Sequence, residues 1–169
     1  MVMLHADEPS KLKEACSTFT QLEDPVYINK NVGLSNQLEI MVCDCEEDCG
    51  FGSDCINRLT YMECYGDTCN CPVDCGNRSF QLHQNAKLDV FRAEKKGYGV
   101  RAMQAIKKGQ FIAEYLGEVL DQPRFVKKQQ KYRKEGLEHF YFMMLQQDEY
   151  IDATEKGGIS RFCNHSCNP

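Results

Sequence analysis

Eight of the chain's eleven cysteines fall between Cys43 and Cys75, in the runs CDCEEDCGFGSDC and ECYGDTCNCPVDC. Cys43, Cys45, Cys49, Cys55, Cys64, Cys69, Cys71 and Cys75 are separated by Gly, Asn and Asp residues that let a backbone wrap around an ion, which suits tetrahedral zinc. Eight thiolates suffice for two ions. Little in the segment is apolar, so metal would supply its folding free energy, on the order of 10 kcal/mol for each structural zinc. A zinc closed by four cysteines keeps no open position, so any reaction must happen elsewhere. The competing reading is a disulfide-stapled loop. Against it stand the odd cysteine total and the opening MVMLHADEPSKLKE, which lacks the basic start and apolar run of a secretory signal.

A second concentration of chemistry lies at Arg161–Pro169, RFCNHSCNP, with two cysteines, a histidine and two asparagines. The glycines of KKGYG, residues 95–99, would let backbone approach a ligand closely, although GYG alone is more often a hairpin turn. Net charge is −5 and is segregated. Cys43–Cys55 carries Asp44, Glu46, Glu47, Asp48 and Asp54 without a cation, the opposite of a phosphate-binding surface. Arg124, Lys127, Lys128, Lys131, Arg133 and Lys134 form a run without an acid, which reads as a solvated face or as a contact to nucleic acid. The longest apolar run, Phe140–Leu145, is too short to span a bilayer.

The elements that must position these residues are mostly strands. Segments 88–94, 98–103, 111–120, 140–145 and 149–154 are rich in β-branched and aromatic residues, with Gly-containing turns between them. DQPRFVKKQQKYRKEG, residues 121–136, carries a capping Asp, an early Pro and a closing Gly, and predicts one inserted surface helix with a thin stripe of Phe125, Val126 and Tyr132. Residues 1–40 show no strong period and read as an arm, with KLKEAC as a short helix. No internal repeat is evident. The expected class is α+β, mostly β.

The ordered set SDCINR, KKGYGVRA, EYLGEV, HFYFM, IDAT and RFCNHSCNP resembles the SET-domain lysine methyltransferases that carry a preceding zinc-binding AWS subdomain. Within that group it is most similar to the fungal enzymes that methylate lysine 36 of histone H3 during transcription elongation. The resemblance implies an arm over 1–40, an AWS subdomain over 41–80 with two zincs, and a SET domain of β-clip, pseudoknot-forming type over 81–169. It implies S-adenosylmethionine as cofactor, held by Lys96, Gly97, Tyr98, Phe140, Arg161, Asn164 and His165. Tyr141 becomes the catalytic residue, lining a lysine channel with Phe142 and Met143. Strand alternation prevents residues 140–143 from all facing one surface, so core packing stays an equal reading for Phe142.

Several parts of the family pattern are not matched. The second channel tyrosine and the three post-SET cysteines lie beyond NHS in the family, so the resemblance implies that the C-terminal part of the SET domain is absent here. It leaves Cys167 as a ligand of a third zinc without its partners, and a chain of this extent is expected to be inactive alone. The AWS pattern shares seven cysteines between two zincs, so one of the eight is extra, with Cys71 able to take the place of Cys69. Cys16 and Cys163 are expected to be packed thiols. The implied partners are the histone H3 tail and the nucleosome, with nucleosomal DNA meeting Arg124–Lys134. RNA polymerase II is implied for full-length members only, and the implied location is the nucleus, on chromosomes. A SET methyltransferase for another lysine, or a catalytically silent chromatin-binding module, are the alternatives.

Overall fold

The structure, a computed structural model, describes residues 9–28, 42–65, 69–71, 75–93, 97–137 and 139–164. In chain order the elements begin with α1 (Leu12–Cys16), β1 (Thr20–Gln21), β2 (Val26–Tyr27), α2 (Ile56–Leu59), β3 (Leu88–Ala93) and β4 (Gly97–Ala102). They continue with β5 (Glu118–Asp121), α3 (Gln122–Lys134), β6 (Phe142–Gln146), β7 (Glu149–Asp152), β8 (Lys156–Gly157) and a 3₁₀ turn, Ile159–Phe162. Two compact units result: Met1–Ser35, Lys87–Gln104 and Glu114–Pro169 form one, and Asn36–Ala86 with Ala105–Ala113 form the other.

The first unit is mostly sheet. Its largest sheet has the order β2-β5-β7-β6, with β2 parallel to β5 and the other pairs antiparallel. β3 and β4 make a hairpin in register from Leu88↔Ala102 to Ala93↔Gly97, and β1 pairs in parallel with β8. The segment expected as an arm is therefore structural: it supplies β1 and β2, and Ala15 of α1 is buried with Val90 and Phe162. Backbone hydrogen bonds that a bare sequence pattern does not show, such as Val26 N–H to the Gly117 carbonyl, recruit it. On its other side Gly117 lets the chain pass close to the Ile151–Asp152 segment, because a Cβ there would lie 2.6 Å from the Asp152 carbonyl oxygen.

The α3 helix starts where β5 ends. Asp121 closes the strand and caps the helix, its side chain accepting from Arg124 N–H at 3.0 Å, and Gly136 (φ +75°) follows its last turn. The thin stripe binds it to the sheet: Phe125 stacks on Tyr150 at 4.1 Å, Tyr132 is fully buried, and Val126 stays exposed. The basic run is divided rather than uniformly solvated. Lys128 turns inward to Glu118 and to Asp152, the latter at 2.9 Å, and Lys131 pairs with Glu155 at 3.0 Å. Burial alone would lower the Lys128 ammonium, but the two carboxylates overcome it and raise it.

The expected strand over 111–120 begins only at Glu118. Residues 105–113 belong instead to the second unit, where Phe111 packs on Phe80 at 4.6 Å and Ala86 N–H donates to the Ile112 carbonyl at 2.7 Å. Burying Phe111 against a ring outweighed the local strand propensity of its segment. This unit has almost no aliphatic core; its buried cluster is Cys43, Cys49, Cys55, Cys64, Cys69, Cys71 and Cys75.

Candidate functional site

The cysteine unit converges on two overlapping four-thiol sets, Cys43–Cys49–Cys55–Cys64 and Cys49–Cys64–Cys69–Cys75, each with all sulfurs within 4.8 Å of one another. The sulfur separations are 3.6 Å for Cys43–Cys49 and Cys49–Cys69, 3.7 Å for Cys55–Cys64, and 3.8 Å for Cys43–Cys64. Four sulfurs about 2.3 Å from a central zinc would be about 3.8 Å apart, so the donor set fits that ion. All are free thiols, far outside the roughly 2.05 Å of a disulfide. Cys45 is half-buried beside Cys49, Cys55 and Cys43 but outside both sets. Cys69 belongs to a set; Cys71 belongs to neither and points its sulfur at the Cys45 carbonyl, 3.2 Å away.

Cys64 has special support. Its sulfur accepts from Asn57 Nδ2 at 3.7 Å and from Asn77 Nδ2 at 3.5 Å. Burial would raise this thiol, but those two amides, with Cys55 and Cys43, bring it down to about 7. Neighbouring Cys45 and Cys75 are pushed up by burial, to about 12 and about 11. The asparagines had a sequence signal. DCINR and DCGNR, residues 54–58 and 74–78, each place an Asn two positions after a cysteine. A cleft of about 620 Å³ beside the cluster is lined by Asp44, Glu46, Glu47, Asp48 and Asp54, a surface that repels phosphate.

In the first unit the centre is Arg161. The 3₁₀ turn buries it between rings, its guanidinium 3.9 Å over Tyr141 and 4.3 Å over Phe19, with Phe162 5.5 Å away. Its Nε and Nη1 have no hydrogen-bond partner among the described residues, so the flanking rings do much of the stabilising. Tyr98 packs edge-on to Phe162 at 5.6 Å, and its hydroxyl donates to Glu14 Oε1 at 2.8 Å. Tyr115, held between the core and this group, has its phenol raised to about 12, mainly by burial. Neither Phe19 nor Tyr115 was singled out from sequence; both come to the site by folding, Phe19 from the N-terminal segment.

Strand alternation divides residues 140–143. Tyr141 faces Arg161 and Phe162, whereas Phe140 and Phe142 pack on Tyr132 of α3, at 6.2 and 6.0 Å. Met143 is exposed on β6, and Asn164 is exposed just after the 3₁₀ turn. Gly97 has φ +73°, and no described residue lies within 4 Å of where a Cβ would project, so backbone there can approach a ligand. Cys163 is exposed and Cys16 half-buried, so only Cys16 approaches the packed thiol expected of both. Lys96, His165 and Cys167 lie outside the described residues.

Residues 97–169 match the family model for the SET domain, and residues 45–83 match that for the AWS domain. Curated relatives named "Histone-lysine N-methyltransferase, H3 lysine-36 specific" align over nearly all of the chain. The relative from Candida glabrata is 50% identical over 98% of this chain and 24% of its own length. Those from Coccidioides immitis and Schizosaccharomyces pombe are 47% and 46% identical, over 98% and 92% of this chain and 17% and 21% of their own lengths. The chain thus spans about a quarter or less of the curated relatives just named. The cysteine unit carries the AWS match and the Tyr141–Arg161 unit carries most of the SET match, in that order along one sequence: the chain belongs to the SET-domain family, with an AWS domain preceding its SET domain.

Proposed function

We propose that this chain is the AWS–SET region of an S-adenosylmethionine-dependent protein-lysine N-methyltransferase whose substrate is lysine 36 of histone H3. The observation that carries this reading is the 46–50% identity, over nearly the whole chain, to relatives named for that activity. Gly97, Tyr98, Arg161 and Asn164 with Lys96 and His165 are the residues assigned to cofactor binding, whereas Phe140, expected among them, packs on Tyr132. The Nε and Nη1 of Arg161, without a hydrogen-bond partner among the described residues, and the side of Gly97 that no described residue fills support a polar ligand near them. When bound, the cofactor supplies an electrophilic methyl group on a sulfonium.

Tyr141 lines the lysine channel in this reading, and the Arg161 stack holds its ring in one orientation. A channel walled by rings excludes water, and desolvation lowers the pKa of an entering lysine so that its neutral amine is the nucleophile. Phe140 and Phe142 act indirectly, by packing the strand onto α3. In the AWS domain the two zincs would be held by the two four-thiol sets, which have Cys49 and Cys64 in common, with Cys45 beside the first as a further ligand in reserve; Cys71 is the extra thiol. A third zinc at Cys167 remains as the resemblance implies it.

The protein would act in the nucleus on chromosomes. Its nucleosomal DNA contact is assigned to Lys127, Arg133 and Lys134, which form no ion pair among the described residues, whereas Lys128 and Lys131 are occupied. The deciding experiment is methyl transfer by the full-length protein on recombinant nucleosomes, with the product located by mass spectrometry. Methylation confined to lysine 36 of histone H3 is expected; a folded, zinc-loaded protein that transfers nothing would instead be a binding module.

A further inference from the structure

Tyr141 lies where the β6–β7 ladder ends. The register Phe142↔Asp152 extends one step to Tyr141 opposite Ala153, and Ala153 N–H donates to the Tyr141 carbonyl at 2.8 Å. The return bond goes elsewhere: Tyr141 N–H donates to Thr154 Oγ1 at 3.2 Å, so a side chain completes the last rung. Thr154 is only 8% exposed, and its own N–H donates to Asp152 Oδ1 at 2.9 Å. The other oxygen of Asp152, a fully buried residue, accepts from the Tyr132 hydroxyl and the Lys128 ammonium, each at 2.9 Å. A continuous line of hydrogen bonds therefore runs from α3 through Asp152 and Thr154 to the backbone of Tyr141.

We infer that Thr154 is a positioning residue for Tyr141 in methyl transfer, and that Asp152, gripped by Tyr132 and Lys128, fixes Thr154 in the place this requires. The inference rests on the proposed role of Tyr141. Its physical basis is that a buried hydroxyl on a backbone held by the bond from Thr154 N–H to Asp152 gives the rung a set length and direction, which either Thr or Ser supplies. Without it the half-buried Tyr141 N–H would have to find another acceptor, and the ring would shift against Arg161. None of these groups needs to touch substrate.

The test compares Thr154→Val, which removes the acceptor at nearly constant volume, with Thr154→Ser, which restores it, in the full-length protein. Three quantities are read: amide hydrogen exchange at Tyr141, kcat and KM on nucleosomes, and Tm. Thr154→Val is expected to speed Tyr141 exchange and to lower kcat by about 10- to 100-fold with little change in cofactor KM, the scale set by small misplacements of reacting groups. Thr154→Ser should recover both. A kcat within about twofold of wild type in Thr154→Val, a loss no larger than the drop in folded fraction, or failure of Thr154→Ser to recover it would overturn the inference. If the unaltered protein transfers no methyl, the functional proposal fails and this one fails with it, while exchange at Tyr141 still shows whether the rung itself exists.

Discussion

The guanidinium of Arg161 lies 3.9 Å over the ring of Tyr141 and is buried there without a carboxylate partner in hydrogen-bonding contact among the described residues. A desolvated stack of this kind is worth about 2 kcal/mol, and it depends on the planar, delocalised cation. Arg161→Lys keeps the charge but not the plane. It should lower Tm by several degrees and kcat by at least tenfold, as read by calorimetry and steady-state methylation; wild-type values for both would show that charge alone suffices.

Tyr141→Phe tests the hydroxyl apart from the ring. Because the ring makes the Arg161 and Phe162 contacts, the variant should fold and bind cofactor almost normally while turnover falls by about two orders of magnitude, the range for a group acting only in the transition state. Calorimetric cofactor titration beside single-turnover kinetics separates the two. Equal losses in both would remove Tyr141 from the chemistry.

Chelation should unfold the cysteine unit, because metal takes the place of an aliphatic core there. Zinc per chain, measured by mass spectrometry, should fall furthest with Cys49→Ser and Cys64→Ser, since those two cysteines belong to both thiol sets, and stay unchanged with Cys71→Ser, which belongs to neither. Asn57→Ala and Asn77→Ala each remove a donor to Cys64 and should weaken zinc retention about 10- to 100-fold.

On α3 the basic residues should divide by environment. Lys128→Met leaves buried Asp152 without its cation and Glu118 with Lys156 alone, and should cost on the order of 3 kcal/mol of stability. Reversing Lys127, Arg133 and Lys134 should leave Tm nearly unchanged and weaken nucleosome binding, with a shallower salt dependence. Binding that is unaffected would leave those three as a solvated face.

Glu118 also gives a pH dependence. Burial would raise its carboxyl, but bonds from Lys128 and Lys156 hold it below its ordinary value. A depressed carboxylate contributes stability that is fully present above the unfolded-state pKa of about 4.3 and is lost as pH falls through the lower folded value. The Tm gap between wild type and Glu118→Gln should therefore be constant from pH 6 to 8, as a rough span, and close below about pH 4. A gap that persisted at low pH would mean that the carboxylate charge is not what stabilises the network.

Much of this molecule was readable before folding. The α3 helix was legible because its signals are local: Asp121 caps, Pro123 starts and Gly136 stops within one short segment. Thiol chemistry was legible from spacing alone, since few other functions gather eight cysteines between residues 43 and 75. Alternation likewise foretold that Tyr141 and its neighbours would face apart. The arm, the fate of Phe111 and the interior role of Lys128 were not legible, because each depends on a partner distant in sequence: Gly117 for Val26, Phe80 for Phe111, and Asp152 for Lys128. Local chemistry selected the residues and their types. Only the tertiary structure decided that Phe19 would cover Arg161, that Asn57 and Asn77 would meet on one sulfur, and that Thr154 would close the last rung at Tyr141, because hydrogen bonds and ring contacts across long loops have no signature until the chain has closed them.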